Sequence, residues 1–214
     1  MVSSALNKQA VFIPVGNHLL PADLVLPKEV RGMVIFSHGA GSGKESPRNL
    51  QVARYLQQRG FGTLLFDLLT PKEQLEYSNQ INMELQTHRL VEAAKWLKRQ
   101  VGVGDVHFGY FGASTGAGPA LAATLGNPLV TAVVSRGGRP DLVFNLLPQV
   151  KTPTLFIVGG HDHELLEINE SAFAMVSGVK KLEIIPGATH LFEEEGKMEQ
   201  VAILAHDWFE LYLR

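Results

Sequence analysis

Cysteine is absent from the 214 residues, which excludes a disulfide framework, a thiolate zinc site, an iron–sulfur cluster and a cysteine nucleophile. Covalent chemistry, if there is any, falls to another side chain. No apolar run approaches the roughly 18 residues of a membrane span, and the opening stretch MVSSALNKQA has no signal-type apolar core. The expected address is the cytoplasm. An excess of one charge is missing too: 19 Lys+Arg stand against 21 Asp+Glu, a balance with no field to gather nucleic acid or an anionic membrane. Neither is expected as a partner. Low-complexity tracts and internal repeats are lacking, and no like-charge block exceeds Glu193, Glu194 and Glu195. Both glycine-rich nucleotide patterns fail. A phosphate loop in GAGSGKES would need glycine at 38 and Ser or Thr at 45, where the chain has His38 and Glu45. A dinucleotide loop needs a third glycine, and Gly39 and Gly41 are followed by Lys44, Gly102 and Gly104 by His107. No cofactor is expected.

What is present is an alternation. Apolar, β-branched runs at residues 9–14, 18–26, 33–37, 62–66, 106–111, 130–135, 154–158 and 182–185 read as strands, closed by glycine-rich turns. Helical periodicity falls at 47–59, 82–99, 114–125, 164–176 and 197–213, with a short helix near 141–147. In the second of these, Met83, Thr87, Leu90, Ala94 and Leu97 recur at three- and four-residue steps, one apolar stripe for a sheet. Trp96 and Trp208 sit on such stripes and are expected in or near the core. The first two strands flank Gly16 and Asn17 and should form a hairpin. Runs such as MVIFS and TLFIV are apolar at every position, as strands covered on both faces must be. The expected fold is therefore α/β. One domain over residues 1–214 carries a mostly parallel sheet of about eight strands, an antiparallel N-terminal edge and helices on both faces. Only 18 residues separate Ser135 from Thr154, so no large cap is expected there.

Sheets of this kind bind ligands outside the carboxyl ends of their strands, and four of those ends carry chemistry. After residues 106–111 comes Gly112-Ala113-Ser114-Thr115-Gly116, a GxSxG between a strand and an alanine-rich helical stretch. A serine on so sharp a turn projects above the sheet, and flanking glycines are needed because side chains there would meet neighbouring backbone. A serine hydroxyl is a weak nucleophile until a base held by a carboxylate takes its proton. The strand at 154–158 ends in Gly159-Gly160-His161-Asp162, and the last strand ends in Pro186-Gly187-Ala188-Thr189-His190. Ser114, Asp162 and His190 thus follow one another as nucleophile, acid and base, each past a different strand. Blander readings stand beside each. Ser114 or Asp162 would serve as a helix N-cap, His190 as a surface loop residue, and Glu164 as a rival acid. The fourth end, His38-Gly39-Ala40-Gly41-Ser42-Gly43, follows the third strand and offers a backbone N–H to an oxyanion. Ala40 and Thr115 are the expected donors.

Substrate contacts are expected from His38, Arg48, Arg136, Arg139 and His161. Each arginine is either a bidentate clamp for a substrate carboxylate or a local ion pair, with Asp141 or a glutamate as the alternative partner. Leu142, Phe144, Leu146 and Leu147 read as an acyl pocket or as the packing face of a short helix. His161, Asp162, His163 and Glu164 look like a metal cluster, but neighbouring ligands diverge along an extended chain and no further group at recognisable spacing completes a site. No metal is expected. Residues 68–81, with Pro71 and Tyr77, form the longest irregular stretch and a candidate partial lid.

The stretches SHGAGSGKESPRN, FDLLTP, GASTGAG, SRGGRPDL, GGHD and GATHLF together resemble the α/β-hydrolase superfamily, and within it small proteins of the dienelactone hydrolase type. The resemblance covers nearly the whole chain. It implies the α/β-hydrolase fold and a cofactor-independent hydrolase with Ser114, Asp162 and His190 as its triad. The ESPRN and RGGRPDL stretches are narrower and resemble a serine-type subgroup; in the named dienelactone hydrolases the elbow residue is cysteine, whereas this chain has Ser114, so the resemblance does not carry dienelactone itself over as the substrate. The expected function is cleavage of a small carboxylic ester, lactone or thioester through an acyl-enzyme, by a monomer or homodimer, with activity rising as His190 loses its proton. The competing expectation is a non-catalytic binding protein that uses the same pocket. Metal-assisted hydrolysis at residues 161–164 is a third.

Overall fold

A computed structural model describes residues 7–100 and 102–213; the first six residues of the stretch read for a signal core lie outside it. Eight strands form one sheet: β1 (Asn7–Val15), β2 (His18–Leu26), β3 (Gly32–Ser37), β4 (Phe61–Phe66), β5 (Phe108–Ala113), β6 (Val130–Arg136), β7 (Thr154–Gly159) and β8 (Lys180–Ile185). Their order is β1-β2-β4-β3-β5-β6-β7-β8. β1 pairs antiparallel with β2, and β2 with β4, while every pairing from β4 to β8 is parallel. The expected antiparallel edge on a parallel sheet is what forms. Its hairpin closes on Gly16 and Asn17 between the Val15–His18 pair, with Gly16 at φ +57, a conformation that a two-residue turn matched to strand twist requires.

The strands β3, β4, β5 and β7 are buried along their whole length because helices cover both faces. Alternation along β3 divides the core. Met33 and Ile35 join one apolar cluster with Leu90 and Leu97 of α3 (Met83–Lys98), Leu121 of α4 (Ala117–Ala122) and Ala172 of α5 (His163–Met175). Val34 and Phe36 join the other, with Val52 and Leu56 of α1 (Pro47–Gln57) and Val201, Ala205 and Phe209 of α6 (Lys197–Tyr212). Trp208 is buried in that second cluster and Trp96 packs against the first. Local signals place the helices. α1 starts with Pro47, whose missing N–H is no loss in a first turn, and Asn82 caps α3 by accepting from Leu85 N–H. The exposed edge at β8 carries Lys180, Lys181 and Glu183, charges that discourage edge-to-edge pairing. No helix among the described residues is long and apolar enough to cross a membrane.

Apart from β1 and β8, which each start two residues early, and the short helix near 141–147, which is a kinked 3-10 stretch over Pro140–Gln149, three departures bear on the site. β5 lies two residues further on than 106–111, so Ser114 follows the strand directly. The helix expected at 114–125 begins as a 3-10 turn over Ser114–Gly116 and is α-helical only over Ala117–Ala122, because Ser114 itself is left-handed. Residues 68–81 are not irregular throughout: a 3-10 turn, Glu73–Leu75, precedes a short helix α2 (Tyr77–Gln80). Side-chain amides hold this segment down, Gln74 donating to the Ser42 carbonyl and Gln86 to the carbonyls of Asn79 and Gln80.

The sheet is also what makes a site. From β3 the chain turns to one neighbour, β4, and then crosses to β5 on the other side. Crevices open at the carboxyl ends of strands where such a switch occurs, and β3 and β5 carry the glycine-rich loop and the elbow.

Candidate active site

Ser114 sits at φ +52, a left-handed conformation rare outside glycine. Strain of this kind, of order 1–3 kcal/mol, persists only where the surroundings over-determine it. Here the surroundings are backbone. A Cβ at Gly116 would lie 2.4 Å from the Ser37 carbonyl oxygen and 2.5 Å from that of His38, and one at Gly112 would lie 2.6 Å from Ala117 Cα. Both glycines are therefore obligatory, and the elbow is pressed against the end of β3.

Asp162 stands at the N-terminus of α5 but makes no capping hydrogen bond, so the capping reading fails. Its Oδ2 lies 2.9 Å from His190 Nδ1 instead. The loops carrying the two are tied together, His161 N–H donating to the Ala188 carbonyl at 2.9 Å. The rival acid, Glu164, lines the same cleft on the first turn of α5, yet the imidazole nitrogen meets Asp162. Ser114, Thr115, Arg139, Asp162, Glu164, Leu165 and His190 surround a cleft of about 240 Å³. Ser114 and His190 share it with no hydrogen bond between their side chains. Larger hollows exist, one of about 540 Å³ lined by Asn7, Leu24 and Gln100 among others, but it gathers no nucleophile and base.

The loop after β3 folds over the elbow. A Cβ at Gly39 would lie 3.1 Å from Ser114 Cβ, and Ser42 N–H closes a turn onto the Gly39 carbonyl at 3.1 Å. Ala40 and Thr115 do meet, though not as two free backbone donors: Ala40 N–H donates to Thr115 Oγ1 at 2.7 Å. The sequence pattern points only to the Thr115 backbone and not to this hydroxyl. Its one available signal was a hydroxyl residue directly after the elbow serine.

Of the expected substrate contacts, the structure brings only Arg139 to the cleft. Its guanidinium is already engaged bidentately, Nε and Nη2 donating to Asp141 at 2.8 and 2.7 Å, which raises its pKa further. His38 is buried behind the loop. Leu68 N–H donates to its Nε2 at 3.0 Å, so the proton is on Nδ1 and faces the Gly39 carbonyl at 3.0 Å; burial pushes the imidazole pKa down and keeps it neutral. Arg48 pairs with Glu193 at 3.0 Å. His161 is exposed on its loop. Leu142 and Leu146 line a separate apolar groove of about 470 Å³ with Met83 and Ala122, whereas Leu147 is core. Among the described residues no group of three or more His, Cys, Asp or Glu is placed to hold a metal ion.

Arg136 is the least expected placement. Its side chain turns away from the cleft into the α1/α6 layer and is 3% exposed. The guanidinium lies 5.8 Å from the Phe192 ring, and Nε has no hydrogen-bond partner. Burial, with Arg48 nearby, pushes its pKa down to about 10. Among the described residues no carboxylate pairs with it, so its desolvation is uncompensated and exchange for an apolar chain of similar length is expected to stabilise. Arg136→Met is expected to raise the thermal midpoint by a few degrees. A lower midpoint in a calorimetric scan would show instead that the contact with Phe192 outweighs the desolvation.

The family model of the dienelactone hydrolase family matches residues 20–211 of the chain. A dienelactone hydrolase from Anabaena variabilis is 48% identical and superposes with a TM-score of 0.94, over 98% of this chain and 99% of that one. An esterase from Pyrococcus furiosus is 16% identical with a TM-score of 0.76, covering 98% of this chain and 94% of its own, a likeness of fold alone. A Mycobacterium tuberculosis protein provisionally named a phosphoribosyl transferase is 50% identical over 198 residues. Those residues are 92% of this chain but 44% of that protein, so the chain spans less than half the length of this curated relative.

Proposed function

The chain belongs to the dienelactone hydrolase family, and from that membership and the geometry of the cleft we propose that it is a serine hydrolase that cleaves a small carboxylic ester, lactone or thioester. The observation that carries the reading is the 2.9 Å contact between His190 Nδ1 and Asp162 Oδ2, at a cleft shared with a serine held at φ +52. Asp162 accepts a hydrogen bond from Nδ1–H, which fixes the tautomer that presents Nε2 as the base. Nε2 takes the Ser114 hydroxyl proton as Oγ attacks the acyl carbon, and the carbonyl π electrons move to oxygen. Collapse of the tetrahedral intermediate expels the alcohol or thiol with that proton and leaves an acyl-serine. Water, deprotonated by the same imidazole, attacks next, and the acid departs as Ser114 recovers its proton. No cofactor enters these steps.

The transferase name belongs to a protein of which this chain matches 44%, and the cleft supports acyl transfer to water without it. Intact-mass spectrometry after incubation with a fluorophosphonate tests the proposal. One adduct on the wild type and none on Ser114→Ala is expected. No adduct on folded wild type would reject an activated serine and favour a ligand-binding protein that uses the same cleft.

A further inference from the structure

A backbone oxyanion hole supplies two N–H groups, and here one of the two is already used. Ala40 N–H donates to Thr115 Oγ1 at 2.7 Å, a bond made across 75 residues of sequence. Thr115 lines the cleft with Ser114 and His190. A threonine hydroxyl has two lone pairs and one proton. Ala40 takes a lone pair, and the proton has no acceptor among the described residues. We propose that the Thr115 hydroxyl is an oxyanion donor, donating a hydrogen bond to the developing O⁻ beside the Thr115 N–H while Ala40 N–H polarises it from behind.

Three features favour a relay over a hydroxyl that merely blocks Ala40. Donors chained head to tail polarise one another. A β-branched side chain has few rotamers, so a hydroxyl fixed by a backbone donor is already aimed and needs no reorganisation as charge develops. The blocking alternative would break a short, well-formed bond at the moment of reaction. The Ala40 end is itself fixed, since its loop is closed by the Ser42-to-Gly39 turn and His38 grips the Gly39 carbonyl. No covalent bond changes in this step; only hydrogen bonds to the carbonyl oxygen strengthen.

The inference rests on the serine hydrolase reading. The experiment compares Thr115→Val, which keeps the shape and removes the hydroxyl, with Thr115→Ser, which keeps the hydroxyl. The full chain is assayed on 4-nitrophenyl acetate and on inhibition by phenylboronic acid, whose serine adduct mimics the tetrahedral intermediate. Loss of one oxyanion donor lowers kcat by about 10²- to 10³-fold. Thr115→Val is expected to show at least the lower figure with KM within about twofold, and a comparable loss of boronate affinity, while Thr115→Ser stays within a few-fold of wild type. A valine variant as fast as wild type, or faster, would show that the hydroxyl only occupies Ala40 N–H and would overturn the inference. Equal losses in both variants would show that keeping the hydroxyl does not keep the rate, and would overturn it as well. Fluorophosphonate labelling separates the two levels. A wild type that labels at Ser114 while valine changes nothing rejects only the role of Thr115, and a wild type that neither labels nor hydrolyses the ester rejects both.

Discussion

Ser114→Ala is expected to lower kcat for a short 4-nitrophenyl ester by about 10⁶-fold, His190→Ala by a similar factor, and the double variant no further than either alone. The non-additivity follows from the chemistry. Ser114 Oγ without a base is a neutral hydroxyl, and the imidazole without the serine has no proton to take, so either loss removes the whole covalent route. What survives is binding and the oxyanion donors. Asp162→Asn removes less. The carboxylate lies 2.9 Å from His190 Nδ1; in the proposed mechanism it stabilises the imidazolium, and an amide in its place would favour the wrong tautomer, at a cost of about 10⁴-fold. Glu164→Gln, in the same cleft but not on the imidazole, is expected to change kcat by no more than about threefold, the scale of an exposed charge at a distance. Steady-state rates on the four single variants and the double, each checked for folding, decide the matter. Losses for Ser114 and His190 that multiply would mean the two act independently, and a Glu164 effect larger than that of Asp162 would reassign the acid.

Much of this was legible in the chain because the site is built from strand ends. Elements whose two faces are both buried announce themselves as continuous apolar runs: β7, buried throughout and apolar along TLFIV, starts at Thr154 and ends one residue past the expected 154–158. Once the strands are placed, Ser114, Asp162 and His190 need only their positions after three of them. What stayed hidden depends on contacts between distant residues. β5 reads FGYFGA, and its two glycines weaken the strand signal enough to move the expected boundary by two residues. Arg136 and Arg139 look alike three positions apart, yet one is the last residue of β6, facing the α1/α6 layer, and the other lies beyond the strand and reaches the cleft. His38 reads as a pocket residue from its place in the loop, and only the backbone groups of Gly39 and Leu68 at its two nitrogens show that it anchors the loop. Thr115 Oγ1 is visible only once a loop 75 residues away has folded back onto it.

The anchoring of that loop runs deeper, to a pair that no local pattern signals. Arg89 is 1% exposed on α3; it donates to the Leu68 carbonyl and, at 2.6 Å, to Glu73 Oε1. Glu73 Oε2 accepts from Thr70 N–H at 2.8 Å and Thr70 Oγ1 at 2.7 Å. Leu68 in turn gives its N–H to His38, which holds Gly39. Glu73→Ala leaves a buried guanidinium with one carbonyl partner. Removing one member of a buried pair destabilises by about 3–5 kcal/mol, and because Glu73 keeps 21% of its side chain exposed the lower end, about 3 kcal/mol, is expected. For a chain of this length that is a fall of roughly 6–12 °C in Tm. The loss depends on pH in a definite direction. Burial pushes the Glu73 carboxyl up, but the hydrogen bonds from Arg89 and Thr70 outweigh it and hold the pKa down at about 2, from an ordinary 4.5. Between those values the unfolded chain binds the extra proton, so stability from this group rises with pH there. It is fully present above about 4.5 and fades as pH falls towards 2. Urea midpoints of wild type and Glu73→Ala are therefore expected to differ by a constant amount above about pH 4.5 and to converge as the pH falls towards 2. The kcat for ester hydrolysis should fall at neutral pH as well, because the Gly39–Ala40 turn loses its support. A stability gap independent of pH would mean that the contribution of Glu73 comes from packing rather than from its charge, and that Arg89 is held by the Leu68 carbonyl alone.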